Sequence, residues 1–172
     1  EQAKRPGQHF SFAHKRPTFQ EENVKPEVIV SALDTEGSLS VIDEIWNSKF
    51  TVPPHYHKIH AETFYIVSGK VEWTVGGEAK VLGAGDCVHI PVYTIHSVKV
   101  VGDTDLHTIM IYQPGGFEAQ MDLEASLTPE QKKDPKISKR MMMLADVYEA
   151  KAGDPVVDSQ KARNITQYFS MA

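Results

Sequence analysis

Apolar and polar residues alternate through most of the chain between residues 26 and 113. The clearest stretch is Lys70-Val71-Glu72-Trp73-Thr74-Val75, where Val71, Trp73 and Val75 share one face of an extended segment. Gly76-Gly77 follows, and two residues that accept positive φ predict a tight hairpin into a returning strand over 78–82. The same reading places strands over 28–30, 39–46, a run ending at Val67, 86–90, 95–101 and 105–112. Turn signals separate them: Asp34-Thr35-Glu36-Gly37, Gly83-Ala84-Gly85, Pro91, Gly102-Asp103 and Pro114-Gly115-Gly116. About eight short strands at this spacing predict an all-β unit, a sandwich or a small barrel.

The flanks read differently. Residues 1–25 are polar and broken by Pro6, Gly7 and Pro17, yet carry Phe10, Phe12 and Phe19. Apolar side chains are wasted in a disordered tail, so an arm docked on a sheet edge or a partner subunit is expected. Thr128-Pro129-Glu130 and Asp134-Pro135 are helix-start signals. Ile137, Met141, Leu144, Ala145 and Tyr148 then recur at helical spacing and predict a helix over 136–150. The predicted organisation is an arm over 1–25, a β unit over 26–118, a helical segment over 126–150 and a polar tail over 151–172.

Composition narrows the function classes. With 172 residues the chain can bury a full core without disulfides. Its formal net charge of −5, with no basic stripe, argues against nucleic acid as a partner. No apolar run approaches membrane-span length. A single cysteine, Cys87, excludes an intrachain disulfide and a cysteine-based zinc cluster, and is expected to pack in a strand. The chain begins at Glu1, which reads as a processed or truncated N-terminus and leaves a cytoplasmic and a secreted location equally open. Asn164-Ile165-Thr166 is a possible glycosylation triplet.

The candidate chemistry lies in Pro53 to Gly69, PPHYHKIHAETFYIVSG, which places His55, His57, His60 and Glu62 within eight residues. Two residues apart on a strand, His55 and His57 lie on one face, roughly 7 Å apart at Cα, and can reach one ion. Glu62 has the wrong parity for that face, so a turn or bulge between His57 and Glu62 is expected. Two imidazoles and a carboxylate suit a divalent transition metal. Further along, Gly85, Pro91 and His96 bring another imidazole to the start of a strand, with Val98 and Val100 on its face. His60 is expected in a solvated loop or behind the ligands. His89 and His107 are expected to be satisfied by backbone partners. Tyr56 and Tyr93 flank ligands and can donate hydrogen bonds.

These residues form a recognisable pattern. His55, His57, Glu62 and Gly69, then Gly85, Pro91 and His96, resemble the two motifs of the cupin superfamily. The chain departs from the pattern in lacking the leading glycine and in placing Tyr93 where many members have a second glycine. The run Tyr112-Gln113-Pro114-Gly115-Gly116-Phe117 is similar to the single-domain cupins of the quercetin dioxygenase type. The resemblance implies a double-stranded β-helix, or jelly-roll barrel, with an N-terminal arm and C-terminal helices. It implies one divalent transition metal ion (Fe, Mn, Co, Ni, Cu or Zn) held by His55, His57, Glu62 and His96, and a homodimer. Phe64, Ile66, Trp73, Tyr93, Met110 and Tyr112 are the expected substrate pocket.

The function implied is a quercetinase-type dioxygenase acting with O₂ on a flavonol-like or other enolisable aromatic small molecule. Glu62 is implied as ligand, as catalytic base, or as both, with burial expected to raise its pKa. The alternative keeps the metal without oxygen, as a cyclase, isomerase or lyase on a polyketide-like substrate. A non-catalytic ligand-binding cupin is the third reading.

Overall fold

The structure is a computed structural model that describes residues 10–19 and 23–151. The alternating segments form strands β1 (Val24–Val30), β2 (Ser40–Trp46), β3 (Thr51–Tyr56), β4 (Ala61–Ser68), β5 (Lys70–Val75), β6 (Glu78–Gly83), β7 (Cys87–Ile90), β8 (His96–Val100) and β9 (Leu106–Gln113). All pairings are antiparallel. One sheet has the order β1-β2-β9-β4-β7, and the other has β3-β8-β5-β6 extended by a short final strand. The chain repeatedly crosses between sheets, as β3 to β4 and β4 to β5 do, and closes a jelly-roll barrel with helices after it.

The inward face of each strand is the apolar face read from the alternation. Ile42, Ile66, Val71 and Leu106 are wholly buried, and each such side chain contributes about 1.5–3 kcal/mol relative to exposure. Trp46, Phe64 and Trp73 pack as a tilted aromatic cluster with ring centroids 4.6–6.3 Å apart. The Gly76-Gly77 hairpin forms as expected, with φ of 58° and 87°.

Gly69 ends β4 at φ 88°, and a Cβ there would lie 2.6 Å from the Asp105 carbonyl oxygen. Both the backbone conformation and the close approach require glycine.

After the barrel come helices α1 (Glu118–Ser126), α2 (Pro129–Lys132) and α3 (Pro135–Leu144). Thr128 and Gln131 cap α2 reciprocally, and Asp134 caps α3 through the Lys136 N–H. The helix expected over 136–150 stops at Leu144, which is exposed, because Asp146 turns the chain at φ 59°. Tyr148 instead lies in β10 (Tyr148–Glu149), which pairs with Tyr56 and His55 at the edge of β3. Its ring stacks on Tyr56 at 5.5 Å. The pairing covers the edge of β3, which an extra helical turn would leave open.

In the arm, Arg16 pairs with Glu27 at 2.8 Å and Phe19 packs against the core. Phe10 and Phe12 do not dock; they are 78% and 55% exposed. The Asn164 triplet and the tail beyond residue 151 lie outside the described residues.

Candidate metal centre

Two local irregularities aim the histidines. Val52 pairs with Val98 and His55 with His96, so the register shifts by one residue at Pro53-Pro54. Proline has no N–H to give to a ladder, and a bulge there is its natural consequence. The extra residue lets Val52 and His55 both face inward despite opposite parity. The turn Lys58–His60 between β3 and β4 makes the second parity change and brings Glu62 inward. His96 arrives directly across from His55, with ring centroids 4.1 Å apart.

His55, His57, His96 and Glu62 are all buried. One ring nitrogen from each of the three histidines falls within 4.8 Å of the other two. Each Nδ1 faces a main-chain carbonyl: His55 to Pro53 at 2.9 Å, His57 to Asp146 at 2.8 Å and His96 to Thr94 at 2.8 Å. A nitrogen facing a carbonyl carries the proton, so every Nε2 presents a lone pair to the barrel interior. The Nε2 atoms of His57 and His96 are buried without a hydrogen-bond partner. They lie 3.3 and 3.1 Å from the two Glu62 oxygens, Oε1 and Oε2.

Lone pairs therefore face lone pairs, and the arrangement requires a cation between them. In the bare protein a proton fills that role. Burial opposes charge on His57, but the Glu62 carboxylate outweighs it and raises the imidazole pKa. Burial likewise favours neutral Glu62, but contacts from His57 and His96 hold it well below the usual carboxylate range. The expected raised pKa of Glu62 is thus reversed, because two imidazoles outweigh desolvation. His55 is depressed to about 4 by burial and by the neighbouring His96. Three imidazole nitrogens and a carboxylate, with tautomers set from behind, fit a divalent transition ion.

Residues 43–112 match the family model described as Cupin domain. The chain carries a cupin domain. It is also 32% identical over 95 residues to quercetin 2,3-dioxygenase of Bacillus subtilis (strain 168), an alignment that covers 53% of this chain and 27% of that protein. This chain therefore spans only about a quarter of that relative. Among solved structures, KdgF from Halomonas sp. superposes with a TM-score of 0.56 at 22% identity, covering 63% of this chain and 96% of the other. A predicted oxalate decarboxylase from Thermotoga maritima gives 0.54 at 17% identity, covering 61% and 98%. These likenesses carry the fold.

The cupin barrel encloses a cavity of about 270 Å³ beside the histidines. Of the expected pocket residues, Phe64, Trp73, Met110 and Tyr112 line it. Ile66 and Tyr93 do not. Ile66 sits deeper in the packed core, wholly buried. Tyr93 lies in the Pro91–Thr94 turn at φ 60°, the left-handed region that explains why a glycine stands there in many cupins. Its N–H donates to the His57 carbonyl at 2.6 Å, so it braces a candidate ligand from the side. Helix-side residues Phe117, Gln120, Met121 and Met142 close the cavity from the C-terminal segment.

Asp146 escaped the sequence reading. Its Oδ2 accepts from the backbone N–H groups of Lys58, Ile59 and His60 at 3.0, 2.6 and 3.2 Å. Its carbonyl also accepts from His57 Nδ1. One residue of the C-terminal segment thus fixes both the ligand-bearing turn and the tautomer of His57. Nothing in the sequence tied it to residues 57–60.

His60 is buried rather than solvated, with Nδ1 3.3 Å from Asp146 Oδ2 and Nε2 4.0 Å from Glu62 Oε1. It stands behind the cluster. His89 and His107 bond side chains, not backbone: Thr63 Oγ1 at 2.9 Å and Asp43 Oδ1 at 2.7 Å, on neighbouring strands. Cys87 is exposed instead of packed, because it lies on the outer face of β7 opposite Tyr65. No helix of the described residues is long and apolar enough to cross a membrane.

Proposed function

We propose that this chain is a metal-dependent dioxygenase acting on an enolisable aromatic, flavonol-like small molecule. The supporting observation is the cluster of His55, His57 and His96, with Glu62 against the last two, at the wall of an apolar cavity. The similarity to a quercetin 2,3-dioxygenase over 95 residues favours this chemistry among those a cupin supports.

His55, His57, His96 and Glu62 would hold the ion, which supplies Lewis acidity and redox capacity to the site. Glu62 is ionised in this setting, so it can accept the proton of a substrate hydroxyl from an oxygen placed at the cluster. Trp46, Phe64, Trp73 and Met110 flank the substrate and exclude water. The Nδ1 contacts to Pro53, Asp146 and Thr94 keep the three imidazoles from rotating as charge moves.

The test is oxygen uptake by metal-loaded protein over a panel of flavonols and related enols, alongside elemental analysis. Uptake matched to loss of substrate is expected. The proposal fails if one of these substrates turns over anaerobically and none consumes oxygen, which would favour the oxygen-independent cyclase, isomerase or lyase.

A further inference from the structure

The alternation that fills the barrel also fixes what each sheet shows to solvent. An antiparallel sheet with one face on a core ordinarily turns a polar face to water. The sheet containing β3, β8, β5 and β6 does so: its outward positions include Thr51, Glu72, Thr74, Ser97 and Lys99, paired across strands. The sheet β1-β2-β9-β4-β7 differs. On β2, β9 and β4 its outward positions include Val41, Ile45, Ile109, Ile111, Tyr65 and Val67. Ile45, Tyr65 and Val67 are 40%, 48% and 39% exposed. One cross-strand row, Glu27, Asp43, Ile109, Tyr65 and Cys87, spans all five strands, so the face is continuous from β1 to β7. A contiguous apolar surface of this kind marks a site of association.

Size, charge and shape indicate what covers it. Five strands about 4.8 Å apart, each about six residues long at about 3.4 Å per residue, make a face of roughly 24 by 20 Å. Two such faces offer about 1,000 Å² before the relief of their side chains is counted, the size at which specific interfaces begin. The chain carries a formal charge of −5, so two copies repel over much of their surface. The acids of this face are instead partnered within the chain, Glu27 with Arg16 at 2.8 Å and Asp43 with His107 at 2.7 Å. Sheets packed face to face keep their strand directions within about 30° of each other, an angle set by their twist. A second copy of the same sheet has the same twist by construction.

We propose that the outer face of the β1-β2-β9-β4-β7 sheet is where a second copy of this chain docks, sheet against sheet, with Tyr65 and Ile109 near the centre of the contact. The proposal stands apart from the chemistry assigned to the histidine cluster, which faces the barrel interior.

The test is sedimentation equilibrium of the metal-loaded chain over a range of concentrations. A mass of two chains is expected. Tyr65→Glu and Ile45→Lys replace solvent-facing side chains and place a charge within the contact, so each should raise the dissociation constant about 10²- to 10³-fold. Val81→Glu, at an exposed position on β6 of the other sheet, should leave it unchanged. A chain that is monomeric throughout overturns the proposal and leaves the face to another occupant. A dimer that both face variants leave intact overturns it as well.

Where neither face variant folds, the single cysteine supplies the answer. Cys87 lies at the rim of this face, on the edge strand β7. With sheets about 10 Å apart and a face about 24 Å wide, spin labels on Cys87 of the two copies must lie within about 40 Å of each other. A longer distance places the contact elsewhere and overturns the proposal. Loss of the dimer on labelling places Cys87 within the contact and supports it.

Discussion

Removing the Asp146 carboxylate tests whether the C-terminal segment belongs to the metal centre. In Asp146→Ala, three backbone donors lose a charged acceptor, and hydrogen bonds to charged groups contribute about 1.5–3 kcal/mol each. Lys58 and Ile59 are exposed residues whose N–H groups can recover water, whereas His60 is buried. The full cost therefore falls mainly on one donor, and the loss is about 2–4 kcal/mol. For a chain of this size that corresponds to a drop in Tm of about 4–16 °C. The loosened turn also frees His57, and metal affinity should fall about 10- to 100-fold, as when a ligand loses its outer support.

Asp146→Asn is the informative companion. Asparagine tolerates the left-handed backbone at φ 59° and keeps one carbonyl acceptor, so it should recover about half of the loss. The assays are thermal unfolding with and without metal, and metal Kd by chelator competition. An Asp146→Ala protein with wild-type Tm and wild-type metal affinity would refute the reasoning.

Three further outcomes are expected. Glu62→Gln should keep the ion, bound about 10-fold more weakly, and lose about 10²- to 10⁴-fold in turnover; full turnover in this variant would remove Glu62 as the base. Gly69→Ala should destabilise the fold by about 1–3 kcal/mol, since its Cβ meets the Asp105 backbone and its φ is 88°; an unchanged urea midpoint would contradict this. In the metal-free protein His55 and His60 titrate near 4, chiefly through burial, against about 6.5 when unfolded. Between those values the unfolded state binds more protons, so stability falls on acidification from pH 6.5 to 4, by up to about 3 kcal/mol per histidine. His57, raised instead, contributes oppositely: its share is complete below pH 6.5 and is lost as the pH rises through its folded value. Urea midpoints in EDTA that rise between pH 6.5 and 4 would show the burial argument to be incorrect.

Much of the site was legible because local rules write it. The period-two pattern located the strands, the parity conflict between His57 and Glu62 demanded a turn, and the spacing of His96 after Gly85 and Pro91 placed it on a strand start. What failed was whatever depends on which face of a strand looks inward at a given level. Cys87, His89 and His107 point outward, and Ile66 packs in the core without lining the cavity, because the barrel's curvature and register set those choices.

The sequence by itself located most strands and turns, since these follow from backbone sterics and side-chain alternation over a few residues, and the resemblance of its two histidine motifs to the cupins named the four converging side chains. Only the tertiary structure decided that Asp146, 89 residues beyond His57, supports it from behind, and that Glu44 faces the same cavity as Glu62 from another strand. It also reversed the direction of the pKa shift expected of Glu62. Contacts of this kind depend on chain closure and on the summed field of groups distant in sequence, and no local pattern encodes either.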